Sequence, residues 1–179
     1  MEKVAIENKV SALLEQYGYS FDHDTDVNIV DFTRKLGFIV GNAELSDNED
    51  GFLAIQPHPS EKNVGSGTRK IIGVNANRPL DLKRFIIAHE FAHWVLHYQD
   101  GQVFLHRENK KGKNSEENDA DYFAAALLMP MASFSRVYSE LKSKDLSRSV
   151  ICSQLASKFK TPEESVSRRI DEIEAIAQS

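Results

Sequence analysis

The stretch FIIAHEFAHWVLHY, residues 85–98, places histidines at positions 89, 93 and 97, each four residues from the next. An α-helix repeats every 3.6 residues and rises about 1.5 Å per residue, so side chains four apart stand roughly 6 Å apart on one face. His89 and His93 can therefore point at one ion. His97 lies a further turn along, about 12 Å from His89, too far for all three to reach a single ion through bonds of about 2.1 Å. His89-Glu90-Phe91-Ala92-His93 is also a full H-E-x-x-H pattern. In such a pattern the two histidines bind zinc, and the glutamate acts as general base toward the attacking water.

The surroundings fit that chemistry. Pro79, Leu80 and Asp81 form a helix start signal with Asp81 as N-cap, and Leu82, Phe85, Ile86, His89, His93 and Leu96 then follow one helical face. Two histidines on an apolar helix are more often a hydrogen-bonded core pair than a ligand pair. Glu90 tips the balance, because a carboxylate buried there without a partner would cost several kcal/mol.

At 179 residues, 41% hydrophobic and 27% charged, the chain has the composition of one folded domain rather than of a disordered protein. A formal charge of −5 gives no general attraction to nucleic acid or anionic membrane. The N-terminal MEKVAIENKVSALLEQ has no apolar signal core and no window reaches the length of a membrane span, so a cytoplasmic location is expected. The single cysteine, Cys152, excludes an internal disulfide, fits a reducing compartment and sits in an apolar helical run where packing explains it.

Along the chain, residues 3–17 read as an amphipathic helix closed by Gly18. DHDTD, residues 22–26, reads as solvated acids capping a short helix near Ile29 to Leu36. Strands are expected in GFIVGNAEL from Gly37, GFLAIQ from Gly51 and KIIGVNA from Lys70, with a mobile loop over residues 57–69. The strand leading into the histidine helix would have a use in a peptidase if its edge were free, since an extended peptide can add there. VFLHR is a fourth strand candidate, and NKKGKN a turn. Helices follow from Ser115 to Pro130, Ala132 to Lys142 and Leu146 to Phe159. A last one begins in TPEESVSRRIDEIEAIA, where Thr161, Pro162 and Glu164 form a capping box.

A zinc site with two helical histidines needs a third protein ligand, leaving the fourth position to water. His97, His106, Glu108, Glu116, Glu117, Asp119 and Asp121 all compete. Glu117 is favoured, because Glu117 and Asp121 share a helical face with Ala120, Ala124 and Leu128. One carboxylate could then bind metal while the other holds a ligating histidine in its tautomer. The competing reading makes Glu116 and Glu117 first-turn acids at a helix start capped by Asn114 or Ser115. Tyr98, His97, His106 and Arg107 are candidate donors to a developing oxyanion. His97 reads otherwise as a hydrogen-bonded histidine at the helix end. The longer metzincin pattern is excluded, because Leu96 and Gln99 stand where it needs glycine and histidine.

Three segments together, IIGVN (71–75), RFIIAHEFAHWVLH (84–97) and ENDADYFAAALLMP (117–130), resemble the ImmA/IrrE family of zinc metallopeptidases with its E-x-x-A-[ND]-x-F-A-x-x-L-L-M-P segment. The resemblance implies an α+β, zincin-like fold with a small antiparallel sheet, an H-E-x-x-H active-site helix and a C-terminal helix-turn-helix-like helical pair. It implies one zinc ion held by His89, His93 and Glu117, Glu90 as catalytic base, and Asp121 beside the ligands in a gluzincin-like site. Residues 1–145 would form the peptidase domain, and residues 146–179 the helical segment packed on it. The implied partner is an Xre-type helix-turn-helix repressor, which family members cleave or help remove to release stress-response or mobile-element genes. No Xre domain precedes the motifs, so that repressor is expected as a separate chain. The alternative within the same resemblance is a toxin-like or regulatory zinc protein of a two-gene module, acting by binding its repressor. Arg148, Lys158, Lys160, Arg168 and Arg169 in the tail are balanced by Glu163, Glu164, Asp171, Glu172 and Glu174, which disfavours direct DNA binding.

Overall fold

Two glycines with positive φ set the first breaks in the chain. Gly18 (φ +81°) follows α1 (Lys3–Gln16), and Gly37 (φ +84°) turns α2 (Ile29–Lys35) into β1 (Phe38–Ala43). A side chain would be strained at either position. The computed structural model describes residues 1–20, 26–57, 68–100, 102–107 and 114–177. Most of the acidic DHDTD run, most of the 57–69 loop and most of the NKKGKN turn lie outside the described residues. Of the acidic run, Asp26 is described, and it is ion-paired to Arg84 at 2.6 Å and to Lys160 rather than solvated. The side chain that caps α2 is Asn28, which accepts from the Asp31 N–H.

The sheet contains β1, β2 (Gly51–Pro57), β3 (Thr68–Asn75) and β4 (Phe104–Arg107) in the order β1-β3-β2-β4. Two of its three pairings are antiparallel, as expected, but β1 runs parallel to β3, with Phe38 opposite Lys70 and Ala43 opposite Asn75. The sheet is therefore mixed. β2 forms the antiparallel neighbour on one side of β3, and β1, separated from β3 by long connecting chain, fills the other side in the same direction. β3 is consequently internal, and the edge strands are β1 and β4.

The histidine helix, α3 (Leu80–His97), crosses this sheet and packs along α4 (Ser115–Leu128). Ala88, Ala92, Ala120 and Ala124 are fully buried, and residues this small let two helix backbones approach closely. Asp81 lies in the first turn of α3, where an acid suits the positive helix end, while Pro79 holds the N-cap position without a side-chain bond. Phe91 sits at the centre of an aromatic cluster, edge-on to Phe32 and Phe38 with ring centroids 5.7 Å away in both cases. This first core gathers α1 to α4 and the sheet.

A second core forms around α5 (Met131–Lys142), α6 (Arg148–Phe159) and α7 (Glu163–Ala177), with Phe85 of α3 packed against both. Cys152 is buried in it, as its apolar surroundings predict. The start of α7 differs from the capping box. Its first backbone bond runs from the Val166 N–H to the Pro162 carbonyl, and the Thr161 hydroxyl donates to the sulfur of Met129 at 3.6 Å. Arg169 is no surface cation. It is fully buried, and its guanidinium donates to Glu7 Oε1 (2.5 Å) and Oε2 (3.2 Å) and to the Met129 carbonyl (3.2 Å). The Tyr122 hydroxyl donates to the same Glu7 oxygen at 2.8 Å, so one charge network ties α7 to α1 and α4.

Candidate metal centre

From Ile86 to His93 every residue of α3 is buried, because the helix is covered by the sheet on one side and by α4 on the other. Polar side chains on that stretch must therefore find partners inside the protein. Those of the histidines come from the first two turns of α4 as well as from each other, and that of Glu90 from β4 (Phe104–Arg107). Asn114 caps that helix by accepting from the Glu117 N–H at 2.9 Å, and the cap fixes the turn from which Glu117 and, four residues on, Asp121 project.

The two imidazole nitrogens and both oxygens of Glu117 meet there. His89 Nε2 lies 3.1 Å from His93 Nε2 and 3.1 Å from Glu117 Oε2, and His93 Nε2 lies 3.6 Å from Glu117 Oε1. Zinc bonds of about 2.0–2.1 Å in a tetrahedral array put neighbouring ligand atoms about 3.3–3.4 Å apart. The separations seen here bracket that value, so the donor set fits such an ion. Asp121 Oδ1 is 3.0 Å from His89 Nδ1, which suits an N–H donated to the carboxylate and leaves Nε2 to face the cluster. On its other side Asp121 accepts from Arg168 of α7 at 3.4 Å.

The charge balance agrees. Burial disfavours a charge on His89, yet its hydrogen bonds to Asp121 and Glu117 prevail and raise its pKa to about 10. At His93 burial wins and the pKa falls. Hydrogen bonds from His106, His89 and His93 hold the Glu117 carboxyl far below the usual carboxylate range. Glu117, Asp121 and Glu90 thus surround two histidines with carboxylates, a surplus of negative charge that a divalent cation would offset once both histidines are neutral at the ligating nitrogen.

Glu90 is fully buried beside the cluster. Its Oε2 is 3.0 Å from His106 Nδ1, whereas its Oε1 has no hydrogen-bond partner among the described residues. Gly51 makes room for this arrangement, since a Cβ there would stand 2.5 Å from Ile86 Cγ2 and 3.6 Å from Glu90 Oε1. A cavity of about 240 Å³ opens next to His89, walled by Asp50, Phe85, Ile86, Asp121 and Arg168 among others.

Of the competing third ligands among the described residues, Glu117 is the one whose oxygen joins both histidine nitrogens within 4.8 Å. Glu116 is exposed, Asp119 accepts from the Met1 amino group at 2.7 Å, and Glu108 lies outside the described residues. The His97 ring packs 5.4 Å from that of His93, and its buried Nε2 has no hydrogen-bond partner among the described residues. Tyr98 meets Phe104 edge-on, and Arg107 reaches outward to Glu49. His106 is the oxyanion candidate that touches Glu90 and Glu117. Burial opposes its charge, but bonds to Glu117 and Glu90 raise its pKa to about 9. The sequence pattern shows neither the His106 contacts nor that of Arg168, because both depend on how distant segments pack.

The Peptidase_M78 family profile, described as the IrrE N-terminal-like domain, matches residues 23–171. No curated protein sequence matches the chain. Among solved structures, a Mycobacterium tuberculosis transcriptional regulator is similar in fold at a TM-score of 0.54 and 16% identity. The match covers 92% of this chain and 46% of that one, so the chain spans about half the length of that neighbour. No helix among the described residues is long and apolar enough to cross a membrane.

Proposed function

The chain belongs to the ImmA/IrrE family of metallopeptidases, with its IrrE N-terminal-like domain, and from that premise we propose that it is a zinc-dependent endopeptidase acting on a separate Xre-type helix-turn-helix repressor. One observation carries the reading. The ligand atoms of His89, His93 and Glu117 lie within 4.8 Å of one another, next to a buried glutamate with one unpartnered oxygen.

In this reading His89, His93 and Glu117 hold the ion, and Asp121 fixes the orientation of His89. When bound, zinc would polarise the scissile carbonyl and acidify water. Glu90 Oε1 is the oxygen free to take the proton of the attacking water and pass it to the leaving amine. Burial on α3 keeps bulk water from competing for that proton. A role confined to binding the repressor gives no use to an unpartnered buried carboxylate oxygen, which favours the enzyme.

The tail is assigned to packing and partner docking rather than to DNA. Arg148 pairs with Asp171, Lys160 with Asp26, Arg168 with Asp121 and Glu164, and Arg169 with Glu7, so an acid stands against each of these cations and weakens their attraction for phosphates. A single buried cysteine fits a reducing, cytoplasmic setting.

The test is incubation of the purified protein with a small helix-turn-helix protein encoded beside it, with and without zinc, in parallel with Glu90→Gln. Site-specific cutting that needs both zinc and Glu90 is expected, and Glu90→Gln should retain zinc while losing turnover. A stable complex that is never cut, with zinc bound, would replace the peptidase with a binding module.

A further inference from the structure

β4 carries a histidine to the metal centre from outside the H-E-x-x-H helix. In the antiparallel pairing of β2 with β4, His106 lies opposite Leu53, and Phe104 lies opposite Ile55. Residues directly opposite in such a pair project from the same face of the sheet. Leu53 and Ile55 are fully buried, so the register turns His106 inward, while Leu105, between them, is 61% exposed.

Three contacts then hold the imidazole. Nδ1 is 3.0 Å from Glu90 Oε2, Nε2 is 2.9 Å from Glu117 Oε1, and the ring stacks on His93 with centroids 3.6 Å apart and planes 24° from parallel. The two carboxylates come from different helices, α3 and α4, and His106 is the group that spans them. The contacts are selective. The ring takes Oε2 of Glu90 and leaves Oε1 without a partner among the described residues; it holds Oε1 of Glu117 at 2.9 Å, closer than the 3.6 Å from that oxygen to His93 Nε2, and leaves Oε2 directed at His89 Nε2, 3.1 Å away.

We propose that His106 is a positioning residue that sorts the oxygens of both carboxylates, committing one of Glu117 to the metal and one of Glu90 to the attacking water. The inference rests on the peptidase reading above. A carboxylate tethered at one oxygen has lost the rotation that would exchange its two oxygens, so the working atom of each is held in place before substrate arrives. The edge strand thus acts as part of the site's framework.

The test compares His106→Ala, His106→Phe and His106→Gln, with zinc affinity measured by competition against a chelating dye and cleavage kinetics measured on the same preparations. His106→Phe preserves the ring and the stack on His93, so it reports the loss of the two polar contacts even if His106→Ala destabilises the fold. With Ala and Phe, zinc affinity is expected to fall about tenfold and kcat about 10–100-fold, with KM changed by less than about twofold. His106→Gln, whose amide can still donate to Glu117, should recover most of the zinc affinity and only part of kcat. Wild-type zinc affinity in both Ala and Phe, or an effect confined to KM, would overturn the proposal. The zinc measurement needs no turnover. A wild-type protein that binds zinc and cuts nothing would count against the peptidase reading, while the affinity series would still decide the tether to Glu117.

Discussion

Arg169→Ala tests whether the helical tail is an integral part of the structure. The wild-type guanidinium is fully buried and makes three hydrogen bonds, two to Glu7 and one to the Met129 carbonyl. Truncation leaves the buried Glu7 carboxylate with the Tyr122 hydroxyl, strips the donor from the Met129 carbonyl, and takes away the cation 3.8 Å from Glu172. Removing one member of a buried ion pair costs about 3–5 kcal/mol, against about 5–15 kcal/mol for the whole stability of a domain. At about 2–4 °C per kcal/mol for a chain of this size, Tm should fall by roughly 6–20 °C. Thermal and urea unfolding followed by circular dichroism at pH 7 would measure it. The double variant Glu7→Gln/Arg169→Met removes both charges, keeps an acceptor for Tyr122 and fills the space of the arginine stem, so it should regain about half of the loss or more. A loss below about 1 kcal/mol in Arg169→Ala, or a double variant no more stable than the single, would refute the argument that an isolated buried carboxylate sets the cost.

Two further outcomes follow from the same structure. Asp121→Ala should weaken zinc binding about 10–100-fold in chelator competition, because His89 loses the partner that holds its Nδ1; unchanged affinity would take Asp121 out of the site. Burial holds the Glu172 carboxyl above its ordinary value of 4.5. A raised folded-state pKa contributes stability that is complete below the unfolded value and lost as pH rises through the folded one. Glu172→Gln, which stays neutral, should therefore melt above wild type at pH 7, and the gap should close as pH falls toward 4.5; a wild type that melts higher at pH 7 would contradict this.

The convergence of His89 and His93 was readable because helical period alone puts residues four apart on one face, and the same rule placed Glu117 and Asp121 together on α4. What was not readable depends on segments meeting in space. Alternation of apolar residues marks β1 and β3 as strands but carries no information on their direction, so their parallel pairing was missed. The inward turn of His106 is decided by its register with Leu53, 53 residues earlier, and a slip of one residue would have faced it to solvent. Arg169 looked like one basic residue in a balanced tail because its partner, Glu7, lies 162 residues earlier. Asp81 and Thr161 match cap signals in composition, yet the helices take Pro79 and Pro162 at those junctions, since backbone direction there is set by packing.

The anchoring of α7 has a consequence for the order of events during synthesis. Asp121 precedes Arg168 by 47 residues, and Glu7 precedes Arg169 by 162. At about 5–20 residues per second, a ribosome delivers Arg168 roughly 2–9 s after Asp121, and Arg169 roughly 8–30 s after Glu7. During that interval the nascent chain already carries both helical histidines and Glu117, but neither the arginine that abuts Asp121 nor the one that neutralises Glu7. The candidate metal centre is thus spelled out early in translation and braced late, so a growing chain carries its proposed ligands before it holds them firmly.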